Sequence, residues 1–209
     1  EWDEYTGRFV AVDYVEVKSR VSGELDRVTF RDGQIVSKGE LLYVIDQKPF
    51  RVALSDAEAQ LADSLARVEF ARTDLARNKE LAAKGFVPER VFEQRQQELR
   101  VAEANVERAK AAVEQARLNL GYTEIRAPIQ GRASLTTVTP GNLVTANAAT
   151  PLTTITSLDP IRFLFDADEA AYLKYVRLNA EGSRPSSRDA PNPVMVQLQG
   201  ESGYIHRGH

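Results

Sequence analysis

The sequence predicts an α+β chain in which a β unit is split by a long antiparallel helical hairpin. Three observations predict it. Two heptad runs flank a single Gly-Pro break. A glycine-marked strand motif occurs once before them and once after. A segment of different character, with strand, short-helix and proline-rich patterns, closes the chain.

The first copy of the strand motif runs Ser19-Arg20-Val21-Ser22-Gly23, reaches a turn glycine at Gly33, and continues Val36-Ser37-Lys38-Gly39-Glu40-Leu41-Leu42 and Val44-Ile45-Asp46. Short β-branched runs punctuated by Gly and Asp read as strands and turns. The second copy runs Ala127-Pro128-Ile129-Gln130-Gly131, reaches Gly141, and continues Leu143-Val144 and Leu152-Thr153-Thr154-Ile155. In both, the second glycine follows the first by ten residues. Repetition of this kind reads as two copies of one unit, neither able to bury its apolar face alone. Two unrelated hairpins are the alternative.

Between the copies, Leu54, Ala57, Leu61, Ser64, Val68, Ala71, Leu75 and Asn78 follow steps of three and four. So do Phe92, Arg95, Leu99, Ala102, Val106, Ala109, Val113, Ala116 and Leu120. This spacing places each set on one helical face. The alanines allow an interaxial distance toward the lower end of roughly 8–10 Å, and a strict heptad implies a left-handed supercoil. The remaining residues are mostly Ala, Glu, Arg, Gln and Lys, good helix formers. The arms are expected over about 50–84 and 88–120, each roughly 50 Å long. Gly85 suits the left-handed position just past a helix end, with Phe86 reaching back to Leu81. Pro88 suits the first position of the return helix, with Glu89 in its first turn. Two helices of an ordinary bundle are the alternative, but each run has only one strongly apolar stripe.

After the second copy, Ile161–Phe165 reads as a strand. Asp168 reads as the cap of a helix through about Asn179, closed by Glu181-Gly182. Ser183 to Pro193 is a polar, proline-rich surface loop. Val194–Leu198 resumes as a strand for which the remaining sequence offers no evident partner. With Glu1 where an initiator methionine would stand, a chain cut at both ends is expected.

Composition limits the functional classes. Across 209 residues the net charge is -3, against the basic balance of a nucleic-acid binder. Cysteine is absent, so no disulfide or thiolate metal site exists. No apolar run reaches the roughly 18–20 residues of a membrane helix. No phosphate-binding Gly-Lys loop is present, so energy for any transport would come from a partner. His206 and His209 have a His-x-x-His spacing without a further ligand nearby. Asp166, Asp168 and Glu169 read as a helix start as readily as paired carboxylates. No catalytic, cofactor-binding or metal-binding residues are assigned.

The chain resembles the periplasmic adaptors, or membrane fusion proteins, of the HlyD/AcrA broad family. The resemblance rests on Arg20-Val21-Ser22-Gly23, Asp32-Gly33, Val36–Leu42, Ile45-Asp46 and Pro49-Phe50. On the return side it rests on Leu118-Asn119-Leu120, Tyr122-Thr123, Ile125–Ile129, Gly131-Arg132 and Pro140–Val144. Residues 1–7, Phe165–Glu169 and Tyr172–Tyr175 resemble the branch serving tripartite RND multidrug pumps, of the MexE type.

That resemblance implies a lipoyl-like (barrel-sandwich hybrid) β domain over 14–49 and 121–156. It implies a coiled-coil hairpin over 50–120, and a partial β-barrel over 1–13 and 157–209 that includes a strand around Trp2 to Val12. A membrane-proximal domain beyond the barrel is expected to be missing. Lys48 lies nearest the junction where true lipoyl carriers hold a modifiable lysine, but lacks that sequence setting. The implied function is a non-enzymatic adaptor that links an inner-membrane RND transporter to an outer-membrane channel for export of drugs or other small toxic compounds. The implied place is the periplasm, anchored to the inner membrane of a Gram-negative bacterium through a segment outside this chain. Self-association into a ring, with a hexamer as one possibility, is also implied. The family's tip motif of Arg, Leu and Ser matches at Arg77 and Leu81, while Pro88 stands at the Ser position. Lys84 and Phe86 complete the candidate channel contact. An adaptor of a type I or ABC-type exporter and a periplasmic ligand- or metal-handling protein are the competing functions.

Overall fold

A computed structural model of the chain describes residues 3–183 and 193–208. In chain order it contains β1 (Gly7–Ala11), β2 (Tyr14–Val17), β3 (Gly23–Val28), β4 (Ile35–Val36), β5 (Leu41–Ile45), α1 (Lys48–Ala83) and α2 (Glu89–Gly121). There follow β6 (Glu124–Arg126), β7 (Gly131–Ala133), β8 (Leu143–Val144), β9 (Thr153–Thr156), β10 (Ile161–Phe165), α3 (Glu169–Ala180), β11 (Val194–Val196) and β12 (His206–Gly208). They fall into two compact units, residues 11–161 and residues 1–10 with 162–209.

In the larger unit the two motif copies interleave. One sheet has the order β2-β9-β7-β4 and the other β6-β5-β3-β8. Each sheet takes two strands from each copy, so neither copy forms a sheet alone. Numbering shows the repeat directly: Gly23 and Gly131, and likewise Gly33 and Gly141, are 108 apart. Exchanging each first-copy strand for its second-copy counterpart (β2 with β6, β3 with β7, β4 with β8, β5 with β9) turns one sheet order into the other. The loop hydrogen bonds obey the same operation. Leu25 N–H donates to Asn142 O at 2.9 Å, and Ala133 N–H donates to Gln34 O at 2.9 Å. Gly141 N–H donates to Leu25 O at 2.8 Å, and Gly33 N–H to Ala133 O at 3.0 Å. The unit is therefore a pseudo-two-fold sandwich.

Its core lies between the sheets and draws on both. Leu25, Leu42, Tyr43 and Ile45 from one sheet, and Val36, Ala133 and Ile155 from the other, are buried in one cluster. The Tyr43 hydroxyl donates to Leu152 O at 2.9 Å and lies 2.8 Å from Thr136 Oγ1. Burial pushes its pKa up to about 12, against the opposing pull of its hydroxyl partners. Gly23 and Gly131 allow close approach: a Cβ on Gly131 would lie 2.3 Å from the Thr156 carbonyl oxygen, and one on Gly23 2.6 Å from Ile45 Cγ2. Gly33 and Gly141 serve another need, with φ of 77° and 87° in their turns.

The hairpin replaces the link between the copies. α1 has 36 residues and α2 has 33, so each spans roughly 50 Å. α1 begins two residues before the expected boundary, with Gln47 as its cap and Pro49 in the first turn, where a missing N–H costs nothing. Every residue of both heptad stripes is buried or half-buried. Ser64, Val68, Val106, Ala109 and Val113 form the most buried stretch. Ser64 satisfies its hydroxyl on Gln60 O at 2.9 Å. Two ion pairs cross the seam: Arg72 with Glu103 at 3.5 Å, and Arg95 with Asp74 at 3.1 Å. Such pairs add little stability, but they fix which turns lie opposite.

The smaller unit is a partial β-barrel. β1 pairs with β10, and β11 pairs antiparallel with β12. The second pairing corrects an expectation: His206-Arg207-Gly208 is the partner of Val194–Val196. So short and polar a strand gives no period-two signal, so it is invisible in sequence. α3 matches its expected caps: Asp168 accepts the Ala171 N–H at 2.8 Å, and Gly182 adopts φ of 72°. Residues 1–2 and most of the proline-rich loop (184–192) lie outside the described residues.

Candidate functional site

The hairpin gives the molecule an arm with a base and a tip. At the base, Thr123 is fully buried and its oxygen accepts from Gln47 Nε2 at 3.1 Å. Gln47 Nε2 also lies 3.4 Å from Glu124 Oε1, and Gln47 Oε1 accepts from Arg51 at 2.8 Å. The Arg126 guanidinium, donating at 2.7 Å, holds the Glu124 carboxyl below its ordinary pKa. Arg20 lies over the Tyr122 ring, 5.1 Å from its centroid. Both helices are thus tied to the sandwich where they leave it.

At the tip, α1 ends in a Schellman motif. Phe86 N–H donates to Leu81 O and Gly85 N–H to Ala82 O, both at 2.9 Å, with Gly85 at φ of 78°. Two expectations change in detail. Pro88 is the N-cap of α2, with ψ of 147°, and not its first helical residue. It offers no side-chain acceptor to the first turn, so Val91 N–H takes Pro88 O at 2.9 Å. Phe86 remains 74 % exposed, so any contact with Leu81 covers little of its ring.

Arg77 and Leu81 are one helical turn apart and so share a face of α1. Arg77 is exposed and has no ion pair among the described residues, while Leu81 is half-buried. Lys84 is the C-cap and is exposed. The structure thus gathers Arg77, Leu81, Lys84 and Phe86 into the last turns and loop of one helix end. This end presents an exposed aromatic, a half-buried aliphatic and two cations. It can bind a surface by burying the ring and pairing the cations; it has no nucleophile with an adjacent base. Phe70, 75 % exposed on the arm's flank, was not singled out from sequence. Its signal is an aromatic outside the heptad positions.

The other sequence candidates have local roles. Asp168 and Glu169 start α3. His206 Nε2 lies 3.0 Å from Glu201, whose carboxyl is lowered by the Leu198 N–H first and by His206 second. His209 lies outside the described residues. Among the described residues no three His, Asp or Glu side chains gather to hold a metal, and no helix is long and apolar enough to cross a membrane.

Comparison with known proteins places this arrangement. Residues 13–156 match the family model for the RND MFP barrel-sandwich hybrid domain. The chain is 38 % identical over 164 residues to the multidrug resistance protein MdtA of Yersinia pestis (strain Pestoides F), covering 78 % of this chain and 37 % of that protein. To the MdtA of Proteus mirabilis (strain HI4320) it is 39 % identical over 163 residues, covering 78 % and 40 %. It thus spans about two-fifths of the length of these curated relatives. Among solved structures, a MacA-MexA chimeric protein with the Pseudomonas aeruginosa MexA α-hairpin domain aligns with TM-score 0.59 and 32 % identity, covering 81 % of this chain and 55 % of the other. MacA from Actinobacillus actinomycetemcomitans aligns with TM-score 0.60 and 27 % identity, covering 81 % and 57 %.

Proposed function

This chain belongs to the family of RND membrane fusion proteins, and on that premise we propose that it acts as a non-enzymatic periplasmic adaptor. It links an inner-membrane RND transporter to an outer-membrane channel for export of drugs or other small toxic compounds. It works in the periplasm of a Gram-negative bacterium, held at the inner membrane by a segment beyond this chain. The division of labour follows the elements: residues 14–49 and 121–156 as the lipoyl-like base, 50–120 as the arm, and 1–13 with 157–209 as part of a barrel. Copies associate side by side in a ring. The arms then form a tube whose tips, through Arg77, Leu81, Lys84 and Phe86, meet the channel.

The observation that carries this reading is the arm itself: a paired hairpin, clamped at its base by the Gln47, Thr123 and Glu124 network, with an exposed aromatic at its far end. An arm of this length positions a contact surface far from the core that supports it. The relatives' designation as multidrug resistance proteins supports drugs as the cargo. Deleting the gene in a strain that expresses its transporter and channel should raise drug susceptibility, and supplying it in trans should restore resistance. Unchanged susceptibility would count against the adaptor reading.

A further inference from the structure

The pseudo-two-fold of the sandwich makes its two outer faces comparable residue by residue, and they differ in charge. Leu25 and Ala133 are equivalent positions, both fully buried between the sheets. Side chains alternate along strands, so their neighbours Glu24 and Arg132 project from opposite outer faces, and both are exposed. Glu24 and Arg132 are themselves equivalent under the 108-residue shift. Beside each lies an equivalent exposed aliphatic residue on a short edge strand. Ile35, 57 % exposed, is opposite Arg132 in the register, and Leu143, 75 % exposed, is opposite Glu24. One motif thus yields two similar surfaces, an aliphatic residue beside an arginine and an aliphatic residue beside a glutamate.

Neighbouring charges do not mask this difference. Glu16 is paired with Lys18 at 2.8 Å, Asp26 with Arg27 at 3.7 Å, and Glu124 with Arg126 at 2.7 Å. Neither Glu24 nor Arg132 has an ion-pair partner among the described residues. Each sheet ends, on the side where Arg132 or Glu24 lies, in an edge strand of only two residues, β4 in one and β8 in the other, so pairing at those edges offers few hydrogen bonds. The outer faces beside those edges are the available surfaces.

We propose that the Arg132-Ile35 face of one copy docks on the Glu24-Leu143 face of the next, head to tail. This rests on the ring reading above and names the surfaces that build the ring. A heterologous contact propagates and closes into a ring if its rotation allows. The alternative isologous pairings bring like charges together, arginine faces in one and glutamate faces in the other, which disfavours them. The charge inversion therefore supplies direction to an otherwise two-fold-like base.

The test uses the full chain, with sedimentation velocity across a concentration series. Arg132→Glu makes both faces acidic, and Glu24→Arg makes both basic. Each single variant should weaken self-association by at least about tenfold, since an attraction becomes a repulsion. An equimolar mixture of the two variants should recover association, because alternating copies again pair opposite charges at every contact. The double variant should also recover it. Both positions are exposed, so unfolding midpoints should match the wild type and exclude misfolding. Wild-type-like association in both single variants would overturn these surfaces while leaving the ring reading standing. A wild-type chain that stays monomeric throughout, together with no lateral cross-links in cells, would overturn both.

Discussion

Replacing Gly131 by alanine tests whether the two motif copies are built into one sandwich. The new Cβ would sit 2.3 Å from the Thr156 carbonyl oxygen, where ordinary contact needs 3.4–4 Å. That oxygen is backbone, on β9, and cannot rotate away. β7 and β9 must therefore separate by about 1 Å where Arg132 faces Thr156 and Ala133 faces Ile155. Overpacking of this kind costs about 1–3 kcal/mol. One weakened ladder hydrogen bond adds about 1 kcal/mol, and the stiffer unfolded chain returns about 0.4–1 kcal/mol. The net loss is about 1–3.5 kcal/mol. At a urea slope near 2 kcal/mol/M it lowers the midpoint by about 0.5–1.8 M. Gly23→Ala meets a side chain, Ile45 Cγ2 at 2.6 Å, which yields more easily; about 1–2 kcal/mol is expected. Gly121→Ala meets nothing within 4 Å and should be neutral or stabilising by about 0.5 kcal/mol. Urea unfolding followed by circular dichroism should rank the three in that order. A Gly131→Ala midpoint equal to that of Gly121→Ala would refute the close packing of β7 on β9.

Other outcomes follow from single positions. Val106→Asp places a carboxylate in the buried seam and should cost about 3 kcal/mol or more, read as lost helical signal; Glu107→Asp, outside the stripe, should be within about 0.5 kcal/mol of wild type. Tyr43 keeps its proton in the folded state up to about pH 12, while the unfolded chain loses it near 10. Its contribution is fully present below pH 10 and lost as pH rises toward 12, up to about 2–3 kcal/mol. Stability measured across that window should fall more steeply for wild type than for Tyr43→Phe. Arg77→Ala with Phe86→Ser should leave the unfolding midpoint within about 0.5 kcal/mol yet abolish complementation of drug resistance, since both side chains are exposed; full resistance would remove them from the contact.

The sequence announced what depends on local periodicity. The heptad residues carry the seam because a 3.5-residue repeat can satisfy only one face of a helix. Gly85 was readable because a left-handed residue after a helix needs glycine. The spacing of Gly23, Gly33, Gly131 and Gly141 discloses the repeat, since Gly33 and Gly141 take positive φ and Gly23 and Gly131 leave no room for a Cβ. What stayed hidden depends on pairing between distant segments. Nothing near Gln47 says that it will meet Thr123 and Glu124 across the hairpin. β12 is hidden because His206-Arg207-Gly208 carries no apolar alternation. Pro88 is the N-cap where the sequence suggests the first helical residue: proline suits the extended N-cap as well as the first helical turn, and only the backbone decides. At the tip, Arg77 and Leu81 come from the family resemblance and remain a proposal, while the local pattern pairs Phe86 with Leu81 and the structure leaves that ring 74 % exposed.

The proposed function sets the arm's tip against the outer-membrane channel. A photo-crosslinking residue at position 81 or 86, introduced into the full-length protein in cells, tests it most directly. Position 54, at the arm's base, serves as the control. Cross-links to the channel are expected from 81 and 86 and none from 54. Cross-links to the channel from 54 but not from 81 or 86 would contradict it.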